Sequence, residues 1–171
     1  MKRILIIGSP GSGKSVFSRR LHRITHIPLI HLDLLYWNSD KTTVGREEFL
    51  CRLRQAMAGE CWIIDGNYSS TMELRLEACD TVFFLDYPVE TCLSGIGERM
   101  GKPRPDMPWT DAEDDPEFLT FVKEFPTNQR PQILSLLNKH PHKHICIFRS
   151  RGEADSFLSR LSGEESGSHG K

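Results

Sequence analysis

With 171 residues, 22 basic and 23 acidic side chains and a formal net charge of −1, the chain has the size of one domain and no bulk charge to draw it to a polyanion. No stretch approaches the ~20 apolar residues a membrane helix needs, and the apolar run behind Lys2 and Arg3 is too short for a signal peptide, so a cytoplasmic protein is expected. The five cysteines are odd in number and form no CxxC pair, which fits reduced, buried thiols better than a disulfide framework.

The first element is a short apolar run, Ile4-Leu5-Ile6-Ile7, as expected of a central parallel strand. It leads into Gly8-Ser9-Pro10-Gly11-Ser12-Gly13-Lys14-Ser15, after which Phe17, Leu21 and Ile24 recur at helical spacing. A strand, a Gly-rich loop closing on Lys-Ser and a helix make up the phosphate-binding P-loop pattern. Gly8, Gly11 and Gly13 let the backbone turn tightly, so that its N–H groups, with that of Ser12, face phosphate oxygens. The helix adds its positive N-terminal end. Lys14 is the group expected on the β- and γ-phosphates, and the Ser15 hydroxyl the group expected on magnesium. ATP and Mg2+ are therefore the expected donor and metal.

Further along, strand-like and helix-like patterns alternate, which predicts an α/β domain with a parallel sheet and helices on both faces. A second strand is expected over 28–32, closing on Asp33, and a helix over 46–57 with Gly45 as its N-cap. A third strand, Cys61-Trp62-Ile63-Ile64, ends at Asp65-Gly66-Asn67, and a fourth, over 81–85, ends at Asp86. Pro88 then opens a helix weakened by Gly95 and Gly97. Residues 101–116 are rich in Pro, Asp, Lys and Arg without periodicity and read as a mobile loop. Helices over 116–123 and 129–137 follow, then a strand over 144–148 and a last helix using Ala154, Phe157, Leu158 and Leu161. His140-Pro-His142-Lys-His144 reads as a solvated connector. The domain is placed at 1–161, with a lid over about 99–116 and a disordered tail at 162–171.

In open parallel sheets, ligands bind beyond the carboxyl ends of the strands. Three expected strands end in Asp there. Asp65, beside Gly66, is the candidate for the magnesium role. Asp33 is placed to meet the acceptor and take a hydroxyl proton. Asp86 reads as a helix-opening residue. Tyr36, Trp37 and Tyr68 read mainly as packing.

Gly8 to Ser15 and Trp62-Ile-Ile-Asp65-Gly66-Asn67 resemble the adenylate-kinase branch of P-loop kinases. Together with His31-Leu-Asp33-Leu-Leu-Tyr-Trp37, Met72-Glu-Leu-Arg75, Arg104-Pro-Asp106 and Phe118 through Phe125 to Arg130, they are similar to a bacterial group called topology modulation proteins. The resemblance implies a three-layer P-loop fold, with a five-stranded sheet in order 2-3-1-4-5 and a small lid. It also implies lid arginines closing on the γ-phosphate, here Arg99, Arg104 and Arg130, and a loop against the adenine that carries Arg151. Adenylate kinases place Phe-Pro-Arg after Asp-Gly, with the Arg on the monophosphate; this chain has Asn67-Tyr68, so AMP does not carry over as acceptor. The reading is a phosphotransferase acting on a small-molecule, nucleoside or nucleotide acceptor. The alternatives are an ATP-dependent regulator linked to DNA topology and a nucleotide-sensing module without turnover. The partners expected are ATP and a small-molecule acceptor, without a membrane or specific nucleic acid.

Overall fold

The computed structural model of the protein describes residues 1–109 and 115–168, with side chains through residue 163. β1 (Arg3–Gly8), β2 (Leu29–His31), β3 (Trp62–Asp65), β4 (Thr81–Leu85) and β5 (His144–Phe148) form one sheet in the order β2-β3-β1-β4-β5. Every pairing is parallel, as in Leu5 with Ile64 and Val82. The helices are α1 (Lys14–Thr25), α2 (Leu32–Tyr36), α3 (Arg46–Ala56), α4 (Ser69–Ala78), α5 (Val89–Arg99), α6 (Pro116–Asn128), α7 (Arg130–Asn138) and α8 (Arg151–Ser168). This is a three-layer α/β P-loop fold.

Period-two alternation explains how one apolar strand serves two cores. Leu5 and Ile7 of β1 pack with Phe49 and Leu53 of α3, Met72 and Leu76 of α4, and Ile133 and Leu137 of α7. Ile4 and Ile6 pack on the other face with Phe17 and Leu21 of α1, Cys92 and Ile96 of α5, and Leu158 of α8. Helix α6 reaches both cores, through Phe125 and Val122 respectively. With both faces of β1 covered, its end at Gly8 is a rigid base for the loop that follows.

Several elements differ from expectation. Strand β2 stops at His31, and Asp33 lies in the first turn of the short helix α2. Helix α6 continues through Pro126 to Asn128. Helix α4 was not foreseen because its buried face, Thr71, Met72, Arg75 and Leu76, interrupts the apolar stripe with an arginine. Helix α8 runs to Ser168, so the stretch read as a tail from 162 is helical as far as it is described, while 169–171 lie outside the described residues. The segment read as a lid is described except at 110–114. Cys51 and Cys61 are exposed rather than buried. No helix among the described residues is long and apolar enough to cross a membrane.

The two glycines expected to weaken α5 have different roles. A Cβ on Gly95 would stand 2.1 Å from the Gly11 carbonyl oxygen, and one on Gly11 would stand 2.0 Å from that of Cys92. Helix α5 therefore lies directly on the phosphate-binding loop, an approach that only glycine permits. Around Gly97 the space is open. Gly95→Ala should destabilise the protein by about 1–3 kcal/mol through overpacking. Gly97→Ala should instead stabilise it by up to ~1 kcal/mol through helix propensity. Urea melts of both variants distinguish the two.

Candidate functional site

The backbone leaves Gly8, passes through left-handed conformations at Gly11 (φ 78°) and Gly13 (φ 90°), and starts α1 at Lys14. The N–H groups of Lys14 and Ser15, first in α1, have no intrahelical partner, whereas those of Val16 and Phe17 bond the Gly13 carbonyl. Lys14 Nζ donates to the Gly8 and Ser9 carbonyls at 3.0 and 3.1 Å. Burial pulls its pKa down, against the charges of Asp65 and Asp33, which raise it. Beneath the loop the Ser12 hydroxyl is buried without a hydrogen-bond partner. Free helix-end donors, a desolvated ammonium and an unpaired hydroxyl make a donor set that fits a polyphosphate.

Over this loop opens a cavity of about 560 Å³, within the usual range for small-ligand sites. Its lining includes Gly11, Ser12, Gly13, Lys14 and Ser15 from the loop, Arg99 from α5, Arg104 and Asp106 from the segment after α5, and Arg151 from α8. The Arg99 guanidinium lies over the Phe118 ring, 5.7 Å from its centroid. Arg151 donates to both carboxylate oxygens of Glu98 at 3.2 and 3.3 Å.

Arg130 is not among the residues lining this cavity. It begins α7 and donates from Nε to both oxygens of Asp86, at 2.9 and 3.0 Å, while Arg149 also bonds Asp86. Asp86 is thus not a helix-opening residue. It is a buried carboxylate that clamps the ends of β4 and β5 to the start of α7.

The other two aspartates, Asp65 and Asp33, do not line the cavity. Asp65 is 4% exposed, accepting from Ser18 Oγ at 3.1 Å and bonded to His31 Nδ1 at 2.8 Å. Burial alone would lower the His31 pKa, but the hydrogen bond and charge of Asp65 outweigh it and raise the pKa above 6.5. Asp33 accepts a 2.6 Å hydrogen bond from the Tyr68 hydroxyl. Its pKa is raised because burial outweighs the Tyr68 hydrogen bond and the nearby Lys14 charge, both of which lower it. Burial and the Asp33 charge also raise the Tyr68 pKa, so the phenol stays a donor.

Four residues that position this site carried no clear signal in the sequence. Asn67 pairs with Gly8 in both directions, accepting from the Gly8 N–H at 3.1 Å and donating to its carbonyl at 2.7 Å. Tyr68 reaches Asp33 from a left-handed backbone (φ 37°), a conformation that costs about 1–3 kcal/mol for a residue with a side chain. Arg75, fully buried, holds both in place. It donates to the carbonyls of Gly66 (2.8 Å), Asn67 and Tyr68 (3.0 Å) and to Thr71. Asp106 accepts from Ser15 Oγ at 2.8 Å and faces Arg19 at 3.5 Å. Although burial opposes ionisation, the Ser15 hydrogen bond and the Arg104 charge hold its pKa below the usual carboxylate value. The stretch Arg104-Pro-Asp106 was visible only as part of a family resemblance.

Comparison with solved structures identifies the fold class as that of P-loop kinases. The shikimate kinase of Acinetobacter baumannii, in complex with shikimate, superposes with a TM-score of 0.64 at 16% identity, covering 100% of this chain and 96% of that one. The shikimate kinase of Bacteroides thetaiotaomicron gives 0.57 at 20% identity, with 96% and 98% coverage. A gluconokinase of Sinorhizobium meliloti gives 0.53 at 15% identity, with 96% and 95% coverage. No protein-family model and no curated protein sequence matches the chain.

Two outcomes follow from these contacts. Arg75→Met removes the side-chain donor of the Gly66 and Asn67 carbonyls, while the Tyr68 carbonyl keeps the Thr71 N–H. At about 1–3 kcal/mol for each carbonyl left buried and unpaired, a loss of at least ~2 kcal/mol is expected in urea melts. The His31 pKa is raised on folding, so its contact with Asp65 adds stability that is full below the unfolded pKa and is lost as pH rises through the higher folded pKa. The stability difference between the wild type and His31→Gln should therefore shrink from pH 5.5 to pH 8.5, a range of about three units around the ordinary histidine value. A constant difference over that range would show that the imidazole does not gain its proton on folding.

Proposed function

We propose that the protein is an ATP-dependent phosphotransferase that moves the γ-phosphate to a hydroxyl-bearing small molecule. The observation that carries this reading is the joint placement of Lys14 and Asp33. The part-buried ammonium of Lys14 on the phosphate-binding loop and the part-buried, Tyr68-bonded carboxylate of Asp33 lie close enough for the charge of each to act on the other. A nucleotide-sensing module needs the first group and has no use for the second.

In this reading the N–H groups of Gly11, Gly13, Lys14 and Ser15 hold the β-phosphate, and Gly8 starts the turn. Lys14 leaves the Gly8 and Ser9 carbonyls to meet the transferring phosphoryl group. Arg99 and Arg104 approach from the lid side of the cavity and stabilise the charge that spreads over its equatorial oxygens. Arg151, held by Glu98, flanks the base. Asp33 orients the acceptor hydroxyl and takes its proton, with Tyr68 fixing the carboxylate by donating to Oδ1. Magnesium would neutralise phosphate charge and is held through the Ser15 hydroxyl with a nearby carboxylate, Asp65 or Asp106. Arg130 is assigned no contact with the phosphates, because its guanidinium is committed to Asp86.

The enzyme is cytoplasmic in this reading, with a lid made of residues 99–116. Its relation to the topology modulation group rests on sequence resemblance alone.

The test is transfer of label from γ-radiolabelled ATP to a panel of sugars, nucleosides and other hydroxylated metabolites. Labelling of one acceptor class is expected. Lys14→Ala should abolish it, and Asp33→Asn should lower kcat by ~10²–10⁴-fold, the usual worth of a positioned base, with little change in ATP affinity. Tight ATP binding with neither hydrolysis nor transfer to any acceptor would identify a nucleotide sensor instead.

A further inference from the structure

We infer that Asp106, carried by the segment after α5, supplies the carboxylate of the divalent-cation site on Ser15, so that cation binding and seating of this segment on the phosphate-binding loop are one event. The inference rests on the nucleotide site of the phosphotransfer reading, and extends it by a residue from outside the loop and the strand ends.

Of the carboxylates around the loop, Glu98 and Asp155 line the cavity but are paired with Arg151 and Arg20, and hydrogen bonds separate the other three. Asp65 has both oxygens engaged, one by His31 at 2.8 Å and one by Ser18 at 3.1 Å, and it does not line the cavity. Asp33 holds the Tyr68 hydroxyl and does not line the cavity either. Asp106 lines the cavity and is bonded to Ser15 itself.

The direction of that bond is what a cation site requires. A serine hydroxyl that ligates a cation offers it a lone pair and must send its proton to another acceptor. Here the Ser15 proton is already directed to Asp106 Oδ2 at 2.8 Å, leaving the lone pairs of Oγ for a cation. Small hard cations such as magnesium keep several waters and are bound through one or two carboxylates, so an anionic oxygen next to the ligating hydroxyl is well placed to take a water-mediated contact. The other oxygen of Asp106 faces Arg19 at 3.5 Å, a long ion pair that fixes the carboxylate without covering Ser15.

The segment position gives the coupling. Asp106 lies 91 residues from Ser15 in the chain, and three residues beyond it Trp109 packs edge-on against Trp37, with ring centroids 5.2 Å apart. Within this segment Asp106 therefore touches the loop, while Trp109 touches the aromatic cluster of Trp37, Tyr36 and Tyr68 beside Asp33. Without a cation, a carboxylate at this position repels the phosphates. With one, it attracts them through the metal. Asp106 should thus make nucleotide affinity depend on the cation more steeply than the loop alone would.

The test uses the full-length protein. A fluorescent ATP analogue is titrated into the wild type and Asp106→Asn, in EDTA and in saturating Mg2+. The ratio of the two Kd values should fall by ~10-fold or more in Asp106→Asn, in the range seen when a metal's outer partners are removed, with affinity in EDTA unchanged or improved. Binding of Mn2+ in the presence of the analogue, read from the loss of its free EPR signal, should weaken in parallel. Asp106→Glu, which keeps the carboxylate, should retain part of the ratio, and thermal melts establish that both variants are folded. An unaltered ratio in Asp106→Asn overturns the inference. So does an equal gain of affinity with and without Mg2+, which would make Asp106 only an electrostatic obstacle to phosphate. If the wild type binds no nucleotide under either condition, the phosphotransfer reading itself fails.

Discussion

The site depends on a buried arginine held by backbone carbonyls and a threonine. Arg75 spends its donors on the carbonyls of Gly66, Asn67 and Tyr68 and on Thr71. Burying a guanidinium is expensive, and burial pulls its pKa down to about 9. The return is geometric: three successive carbonyls are fixed at the point where β3 gives way to α4. That fixes the Asn67 side chain, which locks the Gly8 backbone at the start of the phosphate-binding loop. It also holds Tyr68 in its left-handed conformation, with its hydroxyl on Asp33. One side chain thus supports both the Gly8 end of the loop and the surroundings of Asp33.

The second support is the contact of α5 with the loop. Gly11 and Gly95 allow helix and loop backbones to meet at a distance that a single methyl group would prevent. Helix α5 ends at Arg99, and the segment carrying Arg104 and Asp106 follows directly. The position of α5 on the loop therefore sets where the segment carrying Arg104 and Asp106 begins. Asp86 works in the same way on the opposite edge, holding α7 and β5 to β4 through two arginines. These paired contacts explain why arginines that look alike in sequence act differently. Arg75 and Arg130 are structural supports, whereas Arg99, Arg104 and Arg151 line the cavity.

Much of the donor side was legible because phosphate binding by a backbone loop is local chemistry. Two glycines, a lysine and a serine at fixed spacing must follow a strand and open a helix, and Ile4 to Ile7 and Phe17 to Ile24 supplied that context. The surroundings of the aspartates were only partly legible. Asp33 and Asp65 stood out as acidic residues after apolar runs, but what each carboxylate bonds depends on residues far off in the chain: Tyr68 for the first, His31 and Ser18 for the second. Arg75 was misleading for the same reason. Its helix looked irregular because the arginine faces inward, and a pattern of apolar spacing has no way to register a charged residue that is satisfied by carbonyls.

By itself the sequence determined the alternating α/β order and the phosphate-binding loop, because both follow from spacing within a few residues. The five-stranded parallel sheet in the order β2-β3-β1-β4-β5 came from family resemblance and is borne out by the pairing of the strands. Only the tertiary structure decided which carboxylate meets Ser15, which arginines line the cavity and which are bound to backbone or to Asp86. The physical reason is that hydrogen-bond partners of buried charged groups are chosen by proximity after folding, across 91 residues in the case of Ser15 and Asp106. No local pattern encodes that distance.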